Sequence, residues 1–362
     1  MTSENQIIFF KAMSKVQSGQ ALDEIPVFSP IERSGFIDFL ERNELAEVFF
    51  EIFKETNLFE NEGWKFLQDL AERTRKTREV LDVEVEKVIS LISDASIPMI
   101  IYGGFDLAKI YYPNEYSLRW MRPLTEARIV VTREDQNEVL RILGQCGFRS
   151  LDEQQNQNNS YSLYRRFSRS TILVERKISF LEGEIIDRRH FFNYPREQLT
   201  GSSPKIRILS SEDIFLDRIL NLVDENLRFN WIFLSDLFYV LKRDSLRTDI
   251  LFSKLKEYGA LSVTIVALEF LIQFWNLETA SHLKNNLLGQ MSSLKRSILK
   301  SNLNLEKWII DLQFDHRSRS HQRWILSDYP VKSFFTRTLG TRSSEFGNSN
   351  RRSGVVPLKV QL

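Results

Sequence analysis

The sequence predicts an α+β protein: a mixed sheet with flanking helices between residues 96 and 205, an N-terminal helical region over 1–95, a C-terminal helical region over 206–329 and a polar tail over 330–362. Three observations carry this reading. Up to residue 95, apolar residues recur at helical spacing. From Ser96, short apolar runs end at glycines and give way to helix-length segments. From Ser210 the helical spacing returns.

In the N-terminal region Leu45, Val48, Phe49, Ile52 and Phe53 form one helical stripe, and Leu81, Val85, Val88, Ile89 and Ile92 form another. Pro26 and Pro30 break the chain before Ile31, and Asn57 to Glu62 reads as a loop. The run Ser96-Ile-Pro-Met-Ile-Ile-Tyr102 is almost continuously apolar, which suits a buried strand, and Gly103-Gly104 ends it. Phe105 to Tyr112 is long enough for about two helical turns before Pro113 and Asn114. Glu126 to Thr132 reads as a second strand. Arg133 to Leu143 follows as a helix that Thr132 can cap and Gly144 or Gly147 can end.

Asp152 to Ser160 is polar and reads as a loop, and Thr171 to Phe180 reads as a third strand with a hairpin partner within Gly183 to Phe192. Ser210 and Asp213 have capping-box spacing before Phe215, Ile219, Leu222 and Val223. Leu234, Leu237, Phe238 and Leu241 repeat the helical pattern, and helix-forming stretches continue through Val263 to Trp275 and on to Leu312. After Pro330 the composition shifts to Arg, Ser, Gly and Asn with few apolar anchors, which predicts a mobile tail.

Composition excludes several function classes. The single cysteine, Cys146, rules out an intrachain disulfide framework and thiolate zinc clusters, and the four histidines have no metal-site spacing. No uncharged apolar run is long enough to span a bilayer, and the first residues lack a basic leader, so the expected setting is a reducing cytoplasm. A net charge of +1 makes no global case for nucleic acid. No nucleophile elbow supports Ser-His-Asp or Cys-His catalysis.

The chemistry-bearing feature is the strand, glycine turn, helix, strand, helix succession from Ile97 to Phe148. Gly103-Gly104 permits close backbone approach to a phosphate, although a plain tight turn uses the same pair. The stretch Ile97 to Pro113, then Leu118-Arg-Trp-Met121, then Glu126-Ala-Arg-Ile-Val-Val131, then a helix ending in Cys146-Gly-Phe148, resembles a family of bacterial nucleotidyltransferase-like proteins. In that family an apolar strand ends in Lys-Gly, a helix ends near Tyr-Pro, an Arg precedes Asp-x-Asp, and a helix ends in Gly-Tyr or Gly-Phe. Val174-Glu175 is similar to the strand with the family's third acidic residue. Leu209 to Asp213 is similar to its helix opening, and Phe229 to Asp236 to its helix with Trp and Asp.

The resemblance implies a nucleoside triphosphate or other phosphate ligand, bound near Gly103, Gly104, Arg119 and Lys177. It also implies Mg²⁺ if the protein is active, with Glu126 as ligand and Glu175 as ligand or base for attack of an acceptor hydroxyl on the α-phosphate. The acceptor could be a small molecule, a sugar, a peptide or a protein side chain. The departures bear on this directly. Gly103-Gly104 replaces Lys-Gly, Glu126-Ala127-Arg128 replaces Asp-x-Asp, and Lys177 replaces a His. Strand positions two apart face the same way, so Arg128 would share Glu126's site and repel a metal there.

Two readings follow. One is a degenerate relative that keeps a nucleotide or phosphate pocket, with Arg128 and Lys177 supplying the positive charge. The other is a working transferase that uses Glu126, Glu175 and a further carboxylate, Asp106 or Asp187, for one Mg²⁺. The structural alternative for Glu126 and Arg128 is a surface ion pair or a solvated strand face, and for Arg119 a solvated loop arginine. Asp236 reads as a hydrogen-bonded structural residue. Two rival classes remain. Nucleic-acid binding would use Arg165, Arg166, Arg169 and the arginines from Arg317 to Arg352, with Tyr161, Tyr164 and Phe167 for stacking; protein interaction would use the abundant phenylalanines.

Overall fold

The structure of the chain, a computed structural model, describes residues 3–22, 30–42, 45–55, 61–112, 121–122, 126–132, 134–150, 160–164, 171–175, 177–179, 185–187, 197–198, 206–224 and 231–302. Four helices come first: α1 (Ser3–Gln17), α2 (Pro30–Arg42), α3 (Ala46–Phe53) and α4 (Asn61–Asp94). At 34 residues α4 spans roughly 50 Å, long enough to serve two cores. Leu67 and Leu70 pack with α1 to α3, while Leu81, Val85, Val88 and Ile92 pack beneath the sheet. A buried ion pair, Arg78 Nη2 to Glu47 Oε1 at 2.8 Å, ties α4 to α3.

Among the described residues the sheet is mixed and seven-stranded. In chain order its strands are β1 (Met99–Tyr102), β2 (Glu126–Val131), β3 (Arg149–Ser150), β4 (Ser160–Tyr164), β5 (Thr171–Glu175), β8 (Glu197–Gln198) and β9 (Ile206–Ile208). In space they lie β3-β4-β5-β2-β1-β9-β8. Two strands from between β5 and β8, β6 (Lys177–Ser179) and β7 (Ile185–Asp187), pair with each other as a separate ribbon. The expected third strand is therefore divided between β5 and β6, and its expected hairpin partner is β7. β9 carries the sheet to Ile208, past the expected edge of the core at 205.

β1 is antiparallel to β2, with Tyr102 opposite Arg128, and parallel to β9. All four β1 residues are buried, because both sheet faces are covered. Met99, Ile101, Ala127, Ile129 and Val131 meet α4 and α6 (Gln136–Gln145) on one face. Ile100, Tyr102 and Val130 meet the larger helical core on the other.

α5 (Phe105–Ile110) follows the glycine turn, and α6 ends where Gly147 adopts φ +83°. Thr132 caps the turn that leads into α6, accepting from Asp135 N–H through Oγ1 at 3.4 Å, as expected. Asp135 is the residue immediately before the helix, and Thr132 Oγ1–H also donates to its Oδ2 at 2.7 Å. The C-terminal helices are α7 (Ser211–Asp224), α8 (Trp231–Arg243), α9 (Thr248–Glu257), α10 (Leu261–Trp275), α11 (Glu278–Gly289) and α12 (Ser293–Asn302). The Ser210 capping box forms: Asp213 N–H donates to Ser210 Oγ at 3.2 Å, and Ser210 Oγ–H to Asp213 Oδ2 at 2.8 Å. Among the described residues no helix is long and apolar enough to cross a membrane.

Candidate phosphate site at the glycine turn

The end of β1 brings Tyr102 and Gly103 against Arg128 of β2. Gly103 has φ +99°, which side chains on L-residues rarely allow, and a Cβ there would lie 3.2 Å from Arg128 Cδ. Two constraints therefore select glycine: the turn and the arginine stem beneath it. The guanidinium of Arg128 lies 5.9 Å from the Tyr102 ring centre, and Nη1 is 3.4 Å from Asn221 Oδ1 on α7. Asn221 is itself fixed by donating Nδ2–H to Asp217 O at 2.7 Å. Arg128 is half-buried, so its guanidinium borders both the turn and α7.

Beneath this turn lies a sealed polar cluster. Asp236 on α8 is 0% exposed, Arg218 on α7 2%, Asp217 5% and Arg122, just before β2, 7%. Asp236 is its hub. Oδ1 accepts from Arg122 Nε at 2.7 Å and Tyr112 OH at 2.8 Å, and Oδ2 accepts from Arg122 Nη2 at 3.1 Å and Arg218 Nη1 at 3.3 Å. Arg218 also binds Asp217. Burial works against the Arg218 charge, but Asp217 and Asp236 more than offset it and its pKa is raised. The chain of bonds continues from Tyr112 to Ser235 Oγ (2.8 Å), from there to Gln17 Nε2 (2.6 Å) and on to Trp275 Nε1 (3.1 Å). It thus links α1, α5, α8 and α10. Asp236 is the buried, hydrogen-bonded residue expected from its place on an apolar helix face.

Asp106, in the first turn of α5, differs from the other acids. It is 0% exposed, and neither carboxyl oxygen has a hydrogen-bond partner. Burial pushes its pKa from 3.8 to about 7; Arg218 and the dipole of the Leu107 N–H, which lies outside hydrogen-bond geometry, pull it down, and Asp217 and Asp236 push it up.

The expected site residues are distributed unevenly. Gly103, Gly104 and Arg128 come together at the end of β1. Glu126 and Glu175 both lie on strands of the main sheet but at different levels: Glu126 is opposite Thr171, whereas Glu175 is opposite Val130. That offset of four residues along parallel strands is roughly 13 Å between backbone positions. Lys177 lies on β6, opposite Asp187, outside the seven-stranded sheet. Arg119 lies outside the described residues, as do Arg165, Arg166, Arg169, Phe167, the stretch from Arg317 to Arg352 and the tail over 330–362.

The side chains of Glu126, Glu175 and Asp187, which the resemblance implies as Mg²⁺ ligands, lie outside the described residues. The backbones of Glu126 and Glu175 stand at different levels, Arg128 brings a cation to the turn, and Asp106 is sealed from solvent. Sequence spacing missed Arg122, which holds Asp236 and stands four residues before Glu126. That spacing was the available signal. Asp217, Arg218 and Asn221 reach the site only through the packing of α7 and carried no local signal.

A solved structure described as the solution structure of antibiotic-resistance factor ANT(2'')-Ia, with substrate-regulated conformation dynamics, is 15% identical; the match covers 57% of this chain and 98% of that one, with a TM-score of 0.33. No curated protein matches the sequence. The family described as "Uncharacterised nucleotidyltransferase" matches residues 29–276, more than half of the chain, and the protein belongs to that nucleotidyltransferase family.

Proposed function

We propose that this chain is a degenerate nucleotidyltransferase that binds a nucleoside triphosphate, or another phosphate-bearing ligand, at the Gly103-Gly104 turn without a divalent metal. The observation that carries the reading is the packing of Arg128 under Gly103, at the second acidic position of the family's Asp-x-Asp. A guanidinium there offers planar, permanently charged donors suited to phosphate oxygens, and it opposes a second cation nearby. Gly103 keeps the backbone low enough for a phosphate to approach. Arg128 is oriented by Asn221 and Tyr102, so little side-chain freedom is lost on binding.

Thermal unfolding with each nucleoside triphosphate, with and without Mg²⁺, tests this beside an Arg128→Asp variant. A ligand at a hundred times its Kd stabilises the folded state by about 2.7 kcal/mol. The expected result is a metal-independent rise in the Tm of the wild type that Arg128→Asp abolishes. Stabilisation of the wild type only when Mg²⁺ is present overturns the reading and restores an active, metal-using transferase.

A further inference from the structure

The sealed acid beside the turn bears on how such a site would hold an anion. Among the described side chains the polar cluster contains three carboxylates, Asp106, Asp217 and Asp236, and three guanidiniums, Arg122, Arg218 and Arg128. Arg122 and Arg218 are committed to Asp236 and Asp217 by direct contacts. Asp106 has no hydrogen-bonded partner and lies in the first turn of α5, directly after the Gly103-Gly104 turn that packs on Arg128; the charge of Arg218 acts on it. With Asp106 ionised the cluster is neutral. With Asp106 protonated it carries one net positive charge, and Arg128 is the member that borders the turn.

We propose that a phosphate bound at Gly103 and Arg128 is taken up together with one proton, which the Asp106 carboxylate accepts from solvent. The inference rests on the phosphate site proposed above and deepens it. The proton balance is simple: the anion brings negative charge to the turn, one carboxylate oxygen of Asp106 gains a proton, and no other bond forms or breaks. The groups facing Asp106 are Arg218 and Asp217 from α7, Asp236 from α8 and Tyr111 from the end of its own helix; Arg122 acts through Asp236. The other two acids are bonded directly by arginines, Asp236 by Arg122 and Arg218 and Asp217 by Arg218, whereas Asp106 has no such contact. A carboxyl with no hydrogen bonds and no exposure favours its neutral form, and a nearby phosphate increases that preference.

The test titrates ATP into the full chain in the presence of a chelator at pH 6 and pH 8, beside Asp106→Asn. With the carboxyl titrating at about 7, full coupling weakens wild-type binding about tenfold between those pH values, beyond any change seen in Asp106→Asn. The variant cancels the ligand's own titration. Calorimetry of the wild type at pH 7.5 in two buffers of different ionisation enthalpy gives a second reading that needs no variant, with uptake of roughly three quarters of a proton expected. Equal pH dependence in both proteins, or no proton uptake by the wild type beyond the ligand's own, overturns the proposal and leaves the phosphate site standing. Absence of ATP binding at every pH removes the phosphate site, and the proton coupling with it.

Discussion

Replacing Asp236 by Asn keeps the side-chain shape and removes the charge on which the polar cluster is built. The carboxylate accepts four hydrogen bonds, three of them from Arg122 and Arg218. An amide retains one acceptor oxygen and turns an NH₂ group toward a buried guanidinium. Two buried arginines then face Asp217 and Asp106, which is only about half ionised at pH 7. Breaking a buried pair by removing one partner costs about 3 to 5 kcal/mol, and the complete burial of Asp236 puts this site within that range. Urea unfolding followed by tryptophan fluorescence suits the measurement, because Trp231 and Trp275 stack 4.7 Å apart beside the same network. Tyr112→Phe, which removes the bonds to Asp236 and Ser235 but no charge, should cost less, about 2 kcal/mol. A loss below about 1 kcal/mol for Asp236→Asn at pH 7 would refute the claim that this carboxylate organises the cluster.

Two further substitutions test neighbouring parts of the account. Asp106→Asn should change how stability depends on pH. The unfolded carboxyl loses its proton near 3.8 and the folded one near 7, so the folded state holds more protons in between and wild-type stability falls as pH rises through that window. The variant lacks this slope, so its stability relative to wild type should improve by about 4 kcal/mol from pH 4 to pH 8; parallel urea midpoints across that range would contradict the assignment. Gly103→Ala should destabilise by roughly 1 to 2 kcal/mol, because the positive φ and the Arg128 stem both oppose a Cβ. Thermal unfolding reads the loss, and ATP titration should show weaker binding as Arg128 is displaced.

How much of this was legible in the sequence depends on the range of the interactions. β1 and β2 announced themselves through apolar runs, the Ser210 box through spacing, and the end of α6 through Gly147, all of which are local signals. β4 lies directly after a polar stretch and gave no comparable run, so a strand that supplies half of β5's pairing went unread. The level of Glu175 was equally hidden. Its residue type matched an acidic position, but which residue of β2 it faces is decided by register, which depends on the whole sheet. Arg122 and Arg218 find Asp236 across 114 and 18 residues of chain, and no periodicity encodes such meetings. Arg128 itself was legible as a departure from the family pattern, whereas its packing under Gly103 required the antiparallel pairing of β1 with β2.

The central claim is that Arg128 stands where a metal would otherwise be needed, and calorimetric titration of ATP into the wild-type chain tests it most directly. The account predicts binding in a chelator with a Kd that saturating Mg²⁺ changes by less than about threefold, equivalent to about 0.7 kcal/mol. Binding that appears only with Mg²⁺, or tightens by a hundredfold or more when it is added, would contradict it.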